Sequence, residues 1–167
     1  MNPKIEILPK VKEVLRAEAD AINAVKIDSS YEEAINILFE SSGKIITTGM
    51  GKAGFVAQKF AAIMSSTGTS SVFIHPAEAA HGDLGVISKN DSIVAFSTSG
   101  KTREVLEFIE LSRHMTNGSV IGITSHSDSG LRELSDVIID MGVIREPCPL
   151  GMTCLLYTSD AADERLS

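Results

Sequence analysis

Short apolar segments that alternate with stretches of helical periodicity constrain the fold of this chain more than any other feature. The apolar segments are rich in β-branched residues and occupy residues 45–48, 71–75, 92–97, 119–124 and 137–139. Strands that are apolar on both faces are typical of parallel sheets covered by helices on each side. The sequence therefore predicts an α/β fold around a five-stranded parallel sheet.

Two helices are predicted before the first strand. Apolar residues recur at helical spacing over residues 11–25. Ser30 and Glu33 fit a capping box that begins a second helix, and Gly43 fits its C-terminal cap. The same periodicity predicts helices over residues 52–66 and 102–115 and a short helix around residues 131–134.

Composition and charge narrow the function classes. Fifteen Lys and Arg against twenty-two Asp and Glu give a formal charge of −7. An acidic chain without a basic cluster is a poor partner for nucleic acid or for an anionic membrane surface. Since no apolar run has transmembrane length and the first residues do not resemble a signal peptide, we expect a cytoplasmic protein. Cys148 and Cys154 are too few for a disulfide framework or a zinc site.

A glycine turn, Gly49-Met50-Gly51-Lys52, follows the first strand, and ligands of parallel sheets bind at such carboxyl ends. With Gly54 it matches GxGxxG, but a dinucleotide site needs an acidic residue after the second strand, where His75 stands. The Walker A pattern fails as well. Two interpretations of this turn are left open: an anion site beside the helix N-terminus and Lys52, and a purely structural turn.

A serine loop, residues 97–102, follows the third strand. Ser97, Thr98, Ser99 and Thr102 offer hydroxyls, and the helix that follows offers unpaired amides. This combination favours a phosphate monoester, although surplus serines at a helix cap would look similar. Taken with the glycine turn, the serine loop predicts a pocket for a small phosphorylated ligand.

The segment that follows the second strand is dense in titratable groups. His75, Glu78, His81 and Asp83 lie within nine residues. Composition alone favours hydrogen-bonded structural histidines over functional ones. We expect His114 and His126 to lie at the surface.

Four strings give the chain a family resemblance. GMGKAG, HPAEAAHGDLG, STSGKTRE and REPCPLG resemble the arabinose-5-phosphate isomerase family of SIS (sugar isomerase) domain enzymes, over about residues 10–153. The resemblance implies a three-layer α/β/α sandwich of flavodoxin-like type. It implies interconversion of D-ribulose 5-phosphate and D-arabinose 5-phosphate through an enediol(ate), for Kdo synthesis in lipopolysaccharide or capsule. It also implies a homotetramer that uses no cofactor.

The resemblance also assigns site residues. Glu104 and Glu146 become candidate acid/base residues, Lys52 stabilises an oxyanion or the phosphate, and His81 shuttles protons or assists ring opening. His75 and His81 could contact an inhibitory zinc ion rather than a catalytic metal. The implied substrate- and phosphate-binding residues are Gly49, Gly51, Ser97, Thr98, Ser99 and Thr102.

The end of the chain departs from the family pattern. Residues 154–167 resemble the translation of a sequencing adapter, so we expect residues 1–153 to form an incomplete SIS domain followed by a non-native tail. The family's closing helix and a later histidine have no counterpart here, which predicts little or no activity for this polypeptide. Three alternatives stay open: an isomerase of another phosphosugar, a sugar-phosphate sensor, and a nucleotide-binding module.

Overall fold

The computed structural model describes residues 7–142, and the structural statements below concern this part of the chain. Glu146, both cysteines and the proposed tail lie outside the described residues. Helices and strands alternate after two initial helices, as the sequence predicts. The elements are α1 Ile7–Asn23, α2 Ser29–Glu40, β1 Ile45–Gly49, α3 Gly51–Ser66, β2 Ser71–Phe73, α4 Pro76–Ala79, a 3₁₀ turn Asp83–Val86, β3 Ser92–Phe96, α5 Arg103–Ser112, β4 Val120–Thr124, α6 Gly130–Leu134 and β5 Val137–Asp140.

The five strands form one parallel sheet in the order β2-β1-β3-β4-β5. The predicted α/β class and the five-stranded parallel sheet are therefore confirmed. Strand order reverses between β1 and β3, which pair directly from Ile45 opposite Ser92 to Gly49 opposite Phe96. In open parallel sheets, this reversal opens a crevice at the carboxyl ends of the two strands.

Two hydrophobic cores cover the sheet, one on each face. Ile45 packs with residues of α2 and α3, whereas its neighbour Ile46 packs with residues of α4, α5 and α6. In β3, Val94 belongs to the first core and Ile93 to the second. Successive side chains of a strand point to opposite faces, so an all-apolar strand needs helices on both. The result is the expected three-layer sandwich.

The caps of α2 differ from the prediction. Asp28, not Ser30, is the N-cap, and its carboxylate accepts the Ser30 amide at 2.9 Å. The capping box of Ser30 and Glu33 is therefore wrong, because an aspartate two residues earlier satisfies the first turn. The helix ends at Glu40, so Gly43 is not its cap. Gly43 instead packs so closely on Asn90 that an added Cβ would lie 2.4 Å from the Asn90 carbonyl oxygen.

The second strand is shorter than predicted and ends at Phe73. Pro76 occupies the first turn of α4, where its fixed φ and missing amide hydrogen suit a helix start. The segment from His75 to Gly85 is thus a short helix and the beginning of the 3₁₀ turn, not a simple connection.

The first helix leaves its apolar stripe uncovered. None of its residues is buried. Five apolar side chains stay at least 49% exposed: Ile7, Leu8, Val11, Leu15 and Ile22. Across residues 7–142, no helix combines the length and the apolar character needed to cross a membrane.

Candidate functional site

The glycine turn and the serine loop meet at the switch point of the sheet. Gly49 and Phe96 are paired at the carboxyl ends of β1 and β3, so the two following loops leave the sheet side by side. The Ser97 amide then donates to the Ile123 carbonyl of β4 at 3.1 Å. The two loops that the sequence singled out therefore lie together, at the place where the topology predicts a ligand.

Close packing accounts for the glycines of the GxGxxG string. Gly51 begins α3 with a φ of +56°, a left-handed conformation that favours glycine. A Cβ on Gly54 would lie 2.6 Å from the Gly49 carbonyl oxygen, so the first turn of α3 can approach β1 only without one. This spacing needs no dinucleotide to explain it. Lys52 is an exposed residue in that first turn.

The serine loop is organised by its own hydroxyls. Ser97 Oγ lies 2.9 Å from Thr102 Oγ1 and accepts the Gly100 amide at 3.0 Å. Ser99 Oγ accepts the Lys101 amide at 3.2 Å. The serines and Thr102 are buried, and their hydroxyls take part in hydrogen bonds within the loop.

The helix after the serine loop starts without a side-chain cap. Thr102 is the N-cap of α5 but makes no capping hydrogen bond. The ten residues of α5 direct the positive end of their dipole, with its first amides, toward the loop. Hydroxyls beside such a helix end suit a phosphate group. Glu104 stands half-buried in this first turn.

The loop between β4 and α6, which follows one of the strand ends where the sequence predicts ligand binding, supports the serine loop through contacts that sequence reasoning missed. The Thr98 carbonyl oxygen accepts the Ser125 amide at 3.0 Å and the Thr124 hydroxyl at 3.0 Å. It also lies 2.9 Å from Nδ1 of His126. His126 is exposed, as expected, yet its ring contacts the candidate site. The available signal was its place just after a strand's carboxyl end.

The histidine-rich segment lies on the α5 side of the sheet. The helix α4 packs against α5. His75 is half-buried and meets the Phe73 ring edge-on at a centroid distance of 6.3 Å, and its buried Nδ1 has no hydrogen-bond partner among the described residues. His81 is exposed in the turn after α4. Within residues 7–142, no three His, Cys, Asp or Glu side chains group as a metal site, and zinc contact stays a prediction.

A cavity of about 510 Å³ lies at the opposite, amino-terminal edge of the sheet. Its lining includes Gly43, Lys44, Ser88 and Asp91. The Asp91 carboxylate already accepts the Lys44 and Ser88 amides at 2.7 Å each and pairs with Lys44 Nζ at 2.8 Å. Because its charge is committed to the fold, this edge is a weaker ligand site than the switch point.

Comparison with known proteins identifies the class to which this fold and site belong. The SIS domain pattern matches residues 37–159, and the chain belongs to the SIS domain family. It is similar to the arabinose 5-phosphate isomerases KdsD of Pseudomonas aeruginosa, 34% identical over 154 residues, and of Francisella tularensis, 39% identical over 145 residues. These matches cover 91% and 84% of this chain but 47% and 44% of the relatives. The chain thus spans about half the length of the curated relatives it matches.

Solved structures of similar proteins have the same fold. A Bacteroides fragilis protein superposes with a TM-score of 0.86 at 40% identity, covering 90% of this chain and 81% of that one. An Escherichia coli CFT073 protein in complex with arabinose 5-phosphate superposes with a TM-score of 0.83 at 33% identity, covering 92% and 81%. The resemblance predicted from the four sequence strings is therefore confirmed.

Proposed function

We propose that this chain carries the SIS domain of an aldose-ketose isomerase that interconverts D-ribulose 5-phosphate and D-arabinose 5-phosphate for Kdo, lipopolysaccharide or capsule synthesis. The observation that carries the proposal is the meeting of the glycine turn and the serine loop at the sheet's switch point. The names of the KdsD relatives and the solved relative in complex with arabinose 5-phosphate support the choice of pentose phosphate.

The serine loop binds the phosphate in this proposal. Hydroxyls of Ser97, Thr98, Ser99 and Thr102 and the first amides of α5 surround the dianion, and Lys52 adds a positive charge from the neighbouring turn. The glycines of that turn, Gly49 and Gly51, let the ligand approach the backbone. A loop that its own hydrogen bonds already hold loses less entropy on binding than an open loop, which favours affinity for a small ligand.

The reaction moves one proton between C1 and C2. A carboxylate removes the proton beside the carbonyl group, an enediol(ate) forms, and the proton returns to the neighbouring carbon. Glu104, at the start of α5, and Glu146 are the proposed acid/base pair. Lys52 stabilises the developing oxyanion, and His81 moves protons between the oxygens or opens the ring. No organic cofactor takes part.

Proton exchange tests the reaction directly. In deuterated water, the isomerase exchanges the C2 hydrogen of D-arabinose 5-phosphate and produces the ketose, both visible by NMR. Glu104→Gln should lower this rate by about 100-fold or more, whereas Glu107→Gln, three residues along the same helix and 52% exposed in its pair with Arg103, should leave it unchanged. Equal rates for the two variants would refute the role of Glu104.

The same assay separates the alternatives. Binding of the pentose phosphate without any exchange would indicate a sensor, and faster exchange with a hexose phosphate would indicate another isomerase. Preferential binding of a dinucleotide would revive the nucleotide-binding module.

The assembly and the domain boundaries complete the proposal. The uncovered apolar stripe of α1 supports a homo-oligomer, a tetramer by family resemblance, since exposed apolar patches of this kind commonly mark contact surfaces. We place the end of the SIS domain near residue 153, six residues before the end of the family match at residue 159, and propose residues 154–167 as a non-native tail. The cytoplasm is the proposed location.

A further inference from the structure

We propose that His126 is a positioning residue that sets the orientation of the serine loop and thereby its affinity for phosphate. The proposal rests on the proposed function, because it assumes that this loop binds the phosphate group. It assigns a role to a side chain that neither the resemblance nor the pocket's own residues include.

The ring of His126 contacts the carbonyl group of Thr98. Three described groups converge on the Thr98 carbonyl oxygen: the Ser125 amide, the Thr124 hydroxyl and the His126 ring, at 3.0, 3.0 and 2.9 Å. All three belong to the end of β4 and the loop after it. The Thr98 carbonyl is therefore held toward β4.

The geometry of the peptide bond determines where the Ser99 amide points once the Thr98 carbonyl is held. The described chain contains no cis peptide bond, so the carbonyl of Thr98 and the amide hydrogen of Ser99 point in opposite directions. Since the carbonyl faces β4, the Ser99 amide hydrogen faces away from β4, toward the side of β1 and the glycine turn. Holding Thr98 thus presents a backbone donor to the crevice where the phosphate is proposed to bind.

The contact with the Thr98 carbonyl oxygen fixes the tautomer of His126. A carbonyl oxygen only accepts hydrogen bonds, so Nδ1 of His126 must carry the hydrogen. The His126 backbone is itself anchored, because Arg132 Nε donates to the His126 carbonyl at 2.6 Å and Arg132 also pairs with Asp140. The donor is therefore placed by the fold, although the ring is exposed.

The chemistry of the side chain defines the test. Asparagine places its amide nitrogen at the position of Nδ1, whereas the amide of glutamine lies one bond further out. His126→Asn should keep the hydrogen bond, and His126→Ala and His126→Gln should lose it. His114→Ala, at an exposed histidine beyond the end of α5, is the matched control.

The experiment is calorimetric titration of the full chain and each variant with D-arabinose 5-phosphate and, separately, with inorganic phosphate. One lost hydrogen bond should raise Kd about fivefold to tenfold for His126→Ala and His126→Gln, with His126→Asn and His114→Ala close to the parent. Thermal midpoints of all variants are measured in parallel. A structural role alone would lower the midpoints without separating Asn from Gln in affinity.

The outcomes are distinct. If the parent binds and His126→Ala binds equally well, or His126→Asn is as weak as His126→Gln, the positioning role is wrong while the proposed function stands. If the parent binds neither ligand, the proposed function itself fails, and this inference fails with it. If His126→Ala does not fold, the affinities of His126→Asn and His126→Gln alone decide whether His126 positions the loop.

Discussion

Replacing Gly100 with alanine tests how tightly the serine loop packs on the end of β4. Gly100 has a φ of +63°, in the left-handed region. A Cβ atom there would lie 2.4 Å from Ser129 Oγ, 2.6 Å from Ser129 Cβ and 2.9 Å from Thr124 Oγ1. These distances are too short for any real contact, so either the loop or α6 must move in the variant.

Two costs set the expected magnitude. The left-handed conformation costs a non-glycine residue about 1–2 kcal/mol, and overpacking a dense site costs about 1–3 kcal/mol. Together the two costs amount to about 2–5 kcal/mol in Gly100→Ala. That is a large share of the roughly 5–15 kcal/mol that stabilises a typical domain. Alanine also restricts the unfolded chain, which offsets about 0.4–1 kcal/mol, so we expect Gly100→Ala to lower the free energy of unfolding by about 1–4.5 kcal/mol net.

Gly142 provides the control. Its φ is +71°, but no atom of residues 7–142 lies within 4 Å of an added Cβ, so among these residues Gly142→Ala carries the backbone cost alone. Urea unfolding followed by circular dichroism gives both free energies. Their difference should be about 1–3 kcal/mol, the overpacking cost. Equal destabilisation of the two variants would refute the packing described for Gly100 and Ser129.

Two further predictions concern the amino-terminal edge and the first helix. Burial acts to raise the pKa of Asp91, but hydrogen bonds from Lys44 and the Ser88 amide outweigh it and hold the pKa below 3.8. The stability that the Asp91 carboxylate contributes is therefore complete above about pH 4 and is lost as the pH falls through the pKa of Asp91 in the folded protein. Asp91→Asn should lower the free energy of unfolding by about 3 kcal/mol in urea unfolding at pH 7. If Asp91→Asn unfolds like the parent at pH 7, the carboxylate does not anchor this edge. Leu15 is 60% exposed on the uncovered stripe of α1. If this stripe joins the subunits of an oligomer, Leu15→Glu should yield the 17.8 kDa monomer in sedimentation velocity. An oligomer that persists in this variant would exclude the stripe as the contact surface.

The sheet could be predicted from the sequence because its strands are apolar on both faces. Segments such as Ile45-Ile46 need cover on both faces, and a parallel sheet connected through helices provides it. That topology then brings the ends of neighbouring strands together. The meeting of the glycine turn and the serine loop was predictable for the same reason, without any knowledge of side-chain geometry.

Neighbouring residues that suit the same position explain why the predicted ends of α2 and β2 were wrong. Asp28 and Ser30 are both good N-cap residues, and the sequence does not say which of them the chain uses. Pro76 ends the second strand early because it begins a helix, and a helix start two residues after a strand has no strong signal. Element ends are therefore less predictable than the elements themselves.

Long-range contacts explain what was missed at the site. His126 contacts Thr98, 28 residues away in the sequence, and its place after a strand's carboxyl end does not show which group its ring contacts. Its role depends on β3 and β4 being neighbours. Composition and local spacing identified the serine loop, but the residues that hold this loop are visible only once the strand order is known.

The most direct test of the central claim is a titration of the isotope-labelled chain with D-arabinose 5-phosphate, followed by amide ¹⁵N–¹H NMR. We predict that the largest shifts fall on the glycine turn, on the serine loop and on Ser125 and His126, at the carboxyl ends of the strands. The amides of Gly43, Lys44 and Asp91 at the opposite edge should stay unchanged. Shifts centred on that opposite edge, or none at saturating ligand, would contradict a sugar-phosphate pocket at the switch point.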